Sequence, residues 1–254
     1  MKPLLILECE VVSETAPTFF ACCGEVGPLI GASAGFEAEG TVIVRIGKGE
    51  APPPVEEIGG LVISGSASMV ADPDPWIATA AEYCRRAIAA EVPTLGICFG
   101  HQLIAHALGG VVAPIDGAPE YGTVEIERTA GAASDALFSG LPERFLAQAA
   151  HFQSVIVPPA GSEVLAVNPT GIHGLRFAPT AWGVQFHPEF TAEGSRLTLD
   201  LVRDDLVAFG VDPDAQRSAI EPTPVAATVL RRFAAIVRGE TDAAPRRAEK
   251  TAAA

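Results

Sequence analysis

The chain has 254 residues, 48% of them hydrophobic and 19% charged, with a formal net charge of −14. That apolar content builds a sizeable core and argues against global disorder. The acidic balance argues against a protein that tracks nucleic-acid phosphates, so no nucleic-acid partner is expected.

The opening "MKPLLILECE" carries a run of four apolar residues before Glu8. That is too short for a signal-peptide core or a membrane span, so a cytoplasmic protein without a membrane partner is expected. "LLIL" (4–7), "TVIVRI" (41–46) and "GGLVISG" (59–65) read as buried strands. Between the first two, 13–36 reads as a loop that lines a pocket, with no signature beyond glycine and alanine. "PWIATAAEYCRRAIAAEV" (75–92) reads as a helix with Pro75 in its first turn. "PTLGIC" (93–98) is then a strand, and "GHQLIAHAL" (100–108) a helix closed by Gly109-Gly110. Continuous apolar strands alternating with helices imply an α/β fold, a mostly parallel sheet with helices on both faces.

From 111 to 190 the strand-like runs crowd together: "VEIERT", "FLAQAAHFQSVIVP", "SEVLAVN", "GLRF" and "WGVQFH". They predict a short antiparallel or mixed extension of the sheet. After Phe190 the pattern turns helical, over 195–210 and again over 225–239. The expected organisation is one α/β domain over 1–194, a C-terminal helical appendage over 195–240, and a frayed tail over 241–254. The role of those helices is open: they can cap a site, join two copies or dock a partner. The oligomeric state is likewise open.

The five cysteines, at 9, 22, 23, 84 and 98, form no metal-ligand spacing, and their odd number fits free thiols in a reducing compartment. Cys22 and Cys23 read as packing or surface residues. Cys98 stands out, because a strand ending there and a helix starting at once leave it on a tight turn between Gly96 and Gly100. The helix start aims free N–H groups and a positive dipole end at the sulfur. A buried inert cysteine and a nucleophile both fit this stretch taken alone.

A thiol nucleophile needs a base, and there are five histidines to choose from. His106 is roughly 12 Å along the helix from Cys98, too far to bond. His101 is nearer, but a helical side chain leaning back over the first turn aims poorly at the sulfur. His173 reads as a surface turn residue. "WGVQFHPEF" is different: Pro188 holds His187 extended, and residues two apart in an extended chain face the same way. Glu189 can then orient His187 towards a thiol, as the third member of a triad does.

"GICFGHQ" and "VQFHPEF", with collinear "GGLVISGSAS" and "HFQSVIVPP", resemble the motifs of the class I, triad-type glutamine amidotransferase superfamily over about residues 4–190. The resemblance implies a flavodoxin-like fold and cleavage of glutamine or a related γ-glutamyl bond through a cysteine thioester. It implies Cys98 as nucleophile, His187 as general base and acid, and Glu189 as its orienter. The backbone amides of Phe99 and of Ser66, next to Gly65, would form the oxyanion hole. Ser66 departs from the Gly-Gly often found there, but a backbone amide survives the change. Gln102, Phe152 and Gln153 would contact substrate, and Gln153 stands where many members have Asp.

No metal or organic cofactor is required by this chemistry. No phosphate loop ending in Lys-Ser/Thr marks an ATP-using half. The leading expectation is a stand-alone hydrolase of a small-molecule γ-glutamyl amide. The alternative is a glutaminase subunit feeding ammonia to a separately encoded synthase or ligase partner. A catalytically silent sensor or interaction protein on the same fold ranks third, because nucleophile, base and orienter are all present.

Overall fold

The computed structural model describes residues 2–36 and 38–240, so the expected tail at 241–254 lies outside the described residues. The strands are β1 (Leu4–Leu7), β2 (Thr41–Val44), β3 (Gly60–Ile63), β4 (Thr94–Ile97), β5 (Val111–Pro114) and β6 (Glu120–Arg128). They continue with β7 (Arg144–His151), β8 (Gln153–Val157), β9 (Glu163–Asn168), β10 (Gly171–Ala178) and β11 (Ala181–Val184). The helices are α1 (Val12–Thr15), α2 (Pro17–Cys23), α3 (Val26–Ala34), α4 (Pro75–Ala89) and α5 (Phe99–Ala107). After the sheet come α6 (Ala192–Leu201), α7 (Arg203–Ala208), α8 (Pro213–Ser218) and α9 (Pro224–Arg238).

A nine-stranded sheet runs β2-β1-β3-β4-β11-β10-β9-β6-β7, and β5 pairs with β8 in a separate two-stranded sheet. The first five strands of that order are mutually parallel. The remaining four extend the sheet by antiparallel pairing. All four β1 residues are buried because each face of the sheet is covered. Leu4 and Ile6 pack in one core with Ile30 of α3 and Leu230 and Phe233 of α9. Leu5 and Leu7 pack in a second core with Ile77 and Tyr83 of α4 and Leu103 of α5. The mostly parallel sheet with an antiparallel extension and C-terminal helices agrees with expectation, and α9 packs against the sheet itself.

Among the described residues no helix is long and apolar enough to cross a membrane.

Three local expectations change. Residues 13–36 are not loop but the greater part of α1, α2 and α3. Their helices are short, and the amides opening α1, Val12 and Ser13, donate to the Glu25 carboxylate at 3.0 and 3.3 Å, a cap supplied from thirteen and twelve residues away. The run 145–158 is not one strand. It breaks at Phe152, where β7 leaves β6 and β8 takes up β5. No glycine or proline marks that switch, because tertiary pairing causes it. The helix expected over 195–210 breaks at Val202 into α6 and α7.

Candidate active site

The neighbouring parallel strands β1, β3, β4 and β11 end at one edge of the sheet, where Glu10, Ser66, Cys98 and His187 follow them. Ligand clefts in such sheets form outside the carboxyl ends of the strands. A cleft of about 510 Å³ opens there, lined in part by Gly65, Ser66, Cys98, Gln102, His187 and Glu189.

Cys98 adopts φ 50° and ψ −106°, the start of α5 immediately after β4. A non-glycine residue in such a conformation costs about 1–3 kcal/mol and persists only when its surroundings impose it. The Cys98 amide donates to Val184 O at 2.8 Å, which fixes the turn to β11. Its Sγ lies 3.5 Å from the donor Nε2 of Gln185 and 3.6 Å from Ala150 O. The glycines around it are required by contact, not by turn conformation. A Cβ on Gly96 would sit 2.4 Å from the Gly100 carbonyl, and one on Gly100 would sit 2.2 Å from Ile63 O. Helix α5 therefore lies directly on β3 and β4, and carries its N-terminal amides to the sulfur.

His187 and Glu189 are both buried at the end of the β11 segment. His187 Nδ1 meets Glu189 Oε1 at 2.8 Å, and because a carboxylate only accepts, that nitrogen carries the proton. The other ring nitrogen, Nε2, has no hydrogen-bond partner of good geometry among the described residues. Burial alone would lower the imidazole pKa, but the negative charges of Glu189 and Cys98 outweigh it and push the ring up to about 10. The His187 amide is anchored to Gln148 O of β7 at 2.8 Å. Phe190 stacks on the ring at 4.1 Å between centroids. A Cβ on Gly65 would lie 2.9 Å from His187 Cε1 and 3.7 Å from Cys98 Cβ. Gly65 is thus the floor on which imidazole and cysteine meet.

The amides of Ser66 and Phe99 border this floor and donate to no acceptor among the described residues. The next amide, Ala67, is taken by Glu10 Oε2 at 2.7 Å. Gln102 Nε2 donates to Gln153 O at 2.7 Å and to Gln185 Oε1 at 3.0 Å. Phe152 packs edge-on against Tyr121 at 5.6 Å. All nine residues singled out from sequence therefore lie in or beside one cleft. Sequence reasoning missed Gln185. It sits two residues before His187, and the alternation that aims Glu189 at His187 is the signal that points to it too.

His106 is exposed on the outer face of α5. His101 is buried against Phe177 and close to Gly183, and burial followed by the nearby His173 and His151 pulls its pKa down to about 3. His173, expected at the surface, is only 1% exposed on β10, so that expectation is corrected. Its Nε2 lies 3.0 Å from Glu120 Oε2, which also faces His151 Nε2 at 2.9 Å. The other oxygen, Oε1, accepts from Asn168 and Thr170. Burial raises the Glu120 pKa, but the two histidines win and hold it well below the usual carboxylate range. His151 Nδ1 in turn meets Gln153 O at 3.0 Å. Glu120, His151 and His173 are grouped closely enough to hold a metal ion. Glu120 Oε1 is already taken by Asn168 and Thr170, while both ring nitrogens of His173 lack a hydrogen bond of good geometry among the described residues.

Comparison with known proteins gives the arrangement a family. A family model for class-I glutamine amidotransferases matches residues 41–200. The glutamine-hydrolyzing GMP synthase of Thermomicrobium roseum is 37% identical over 51% of this chain and 23% of its own length. The glutamine-hydrolyzing GMP synthase subunit of Methanococcus maripaludis strain C6 is 38% identical over 52% of this chain and 65% of its own length. The match thus spans less than two thirds of either relative. The crystal structure of a glutamine amidotransferase from Thermotoga maritima superposes with a TM-score of 0.74, covering 93% of this chain and 98% of the other at 20% identity, which speaks to fold. By the family model over most of its sheet and the turn at Cys98, the chain belongs to the class-I glutamine amidotransferase family.

Proposed function

We propose that the protein is a cysteine-dependent amidohydrolase that cleaves γ-glutamyl amide bonds, acting alone. The observation that carries the reading is the left-handed turn at Cys98 beside a buried His187–Glu189 pair in one cleft. In this reading Cys98, as thiolate, attacks the γ-carbonyl carbon and the carbonyl electrons move to oxygen. The amides of Phe99 and Ser66 hold that oxyanion, with Gly65 giving it room. His187, protonated and oriented by Glu189, gives its proton to the departing amine as the C–N bond breaks. Water then attacks the thioester while His187 takes its proton. Glutamate leaves and the cysteine is restored. Gln102 and the backbone at Phe152 and Gln153 bind the substrate's α-amino and α-carboxylate end.

No cofactor enters this scheme. Residues 1–194 are taken to carry the chemistry and 195–240 to wall the cleft. The five free cysteines fit a reducing, cytoplasmic setting. A second reading is favoured by the name of the Methanococcus relative, which is a glutamine-hydrolyzing component of a synthase. It makes this chain a glutaminase that delivers ammonia to a separate synthase. Assay of the purified protein separates the two. The hydrolase releases glutamate from a γ-glutamyl amide unaided, and Cys98→Ala abolishes it. An ammonia-delivering component stays nearly silent until its partner is added.

A further inference from the structure

The general acid must lie beside the leaving nitrogen, so whatever that nitrogen carries runs out of the site past His187. The surface there is aromatic and aliphatic. Phe190 stacks on His187 and Phe19 of α2 packs on Phe190 at 5.4 Å, while Leu201 and Val202 also line the cleft. Leu201 is 53% exposed, an apolar side chain left open at the cleft mouth. The volume of about 510 Å³ lies within the range of roughly 300–1,000 Å³ that encloses a drug-sized ligand. Release of bare ammonia uses none of that wall.

Charge narrows the choice further. Among the described residues the cleft is lined by two carboxylates, Glu10 and Glu189, and by no lysine or arginine. Glu189 is engaged with His187. Glu10, which lines the cleft, uses Oε2 to hold the Ala67 amide, and its Oε1 has no hydrogen-bond partner among the described residues. A leaving group with its own carboxylate would meet Glu10 with no lysine or arginine to offset it, the charge of His187 being paired with Glu189.

Building on the hydrolase reading above, we infer that the preferred substrates are γ-glutamyl amides of bulky apolar amines without an acidic group, rather than glutamine or γ-glutamyl amino acids. The overall step is hydrolysis: water and the amide give glutamate and the free amine, and no further reactant is consumed.

The test is kcat/KM of the purified full chain for four probes: glutamine, γ-glutamyl-ethylamide, γ-glutamyl-phenethylamide and γ-glutamyl-phenylalanine. The phenethylamide should exceed glutamine at least about tenfold, with the ethylamide between them, because each apolar contact in such a pocket discriminates by about that factor. γ-Glutamyl-phenylalanine, the same body with a carboxylate, should fall about tenfold below the phenethylamide. Glu10→Gln keeps the acceptor for Ala67 and should close most of that second gap, read as the ratio of the two substrates. Glutamine turned over as well as the phenethylamide overturns the substrate class while leaving the hydrolase intact. Equal use of phenylalanine and phenethylamine derivatives removes the role of Glu10. Failure to cleave any of the four sinks the hydrolase reading itself, and this inference with it.

Discussion

Replacing Glu189 by Gln preserves shape and removes one charge from the buried pair that aims His187. In the parent, burial depresses the imidazole, but Glu189 and Cys98 outweigh it and hold the ring near pKa 10. The ring therefore keeps its acidic proton across neutral pH and loses it as pH rises through about 10. An opposite charge at this range is worth about 1–3 pH units. The alkaline limb of kcat/KM should accordingly move down by about that much in Glu189→Gln. The 2.8 Å bond itself is charge-assisted, a class worth about 1.5–3 kcal/mol. At about 1.36 kcal/mol per decade, kcat/KM near pH 8 should drop by about 10- to 150-fold. Stability follows the same sign. The raised pKa of His187 contributes fully below about pH 6.5 and is lost between there and about 10, so the parent's advantage over the variant shrinks across that window. The assay is a kcat/KM profile from pH 5 to 11 on a γ-glutamyl amide, with circular dichroism to show that the variant is folded. A folded variant with an unshifted alkaline limb and full rate would falsify the role assigned to Glu189.

Native alkylation with iodoacetamide should mark Cys98 first and exposed Cys22 more slowly. Cys9 and Cys84, buried and pushed up to about 12 by desolvation, should stay unlabelled, and labelling of Cys22 ahead of Cys98 would count against an activated thiol. Cys98→Gly and Cys98→Ala should both be inactive, but glycine relieves the φ 50° strain, so its variant should melt higher by about 2–4 °C per kcal/mol relieved. Gly100→Ala would put a Cβ 2.2 Å from the β3 backbone at Ile63 and should cost at least about 3 kcal/mol in denaturant unfolding; near-parent stability would mean that α5 does not rest on β3. Glu120→Gln weakens the hold of His151 on the Gln153 carbonyl and should raise KM about tenfold with a smaller change in kcat; an unchanged KM would separate that cluster from substrate binding. Because the Glu120 pKa is depressed, its stabilising contribution should be full above about pH 4.5 and fade as acid protonates it, so the stability gap between parent and variant should close there.

The parallel half of the fold is legible because burial on both faces writes itself as unbroken apolar runs. "LLIL" and "GGLVISG" are short unbroken apolar runs of strand length, and both are buried strands in the fold. Elements held by distant partners are not legible in the same way. The cap on α1 comes from Glu25, and the β7–β8 break comes from a change of neighbouring strand. Neither leaves a local mark in composition or period. The helix past Phe190 shows in its amphipathic pattern, but no glycine or proline marks its interruption at Val202.

The histidines show where residue reasoning reaches its limit. His187 can be chosen from sequence because Pro188 and Glu189 supply conformation and partner within two positions, and the structure has it beside Cys98. His173 carries no such marker. "NPTGIHG" reads as a turn, and the turn is real at Thr170, where its hydroxyl bonds Asn168. The strand that follows carries His173 inward to a carboxylate fifty-three residues earlier in the chain, Glu120. A polar residue can be buried when its partner comes from another strand. The sequence of one strand names the residue but not that partner. The same long-range pairing links Glu120 through His151 to Gln153 O, which Gln102 also holds. The wall formed by Gln102 and Gln153 is thus tied to three separate strands and one helix, and its geometry depends on their assembly; the Cys98 turn shows its flanking glycines in the sequence, but its hold on β11 through the Cys98 amide comes from the fold.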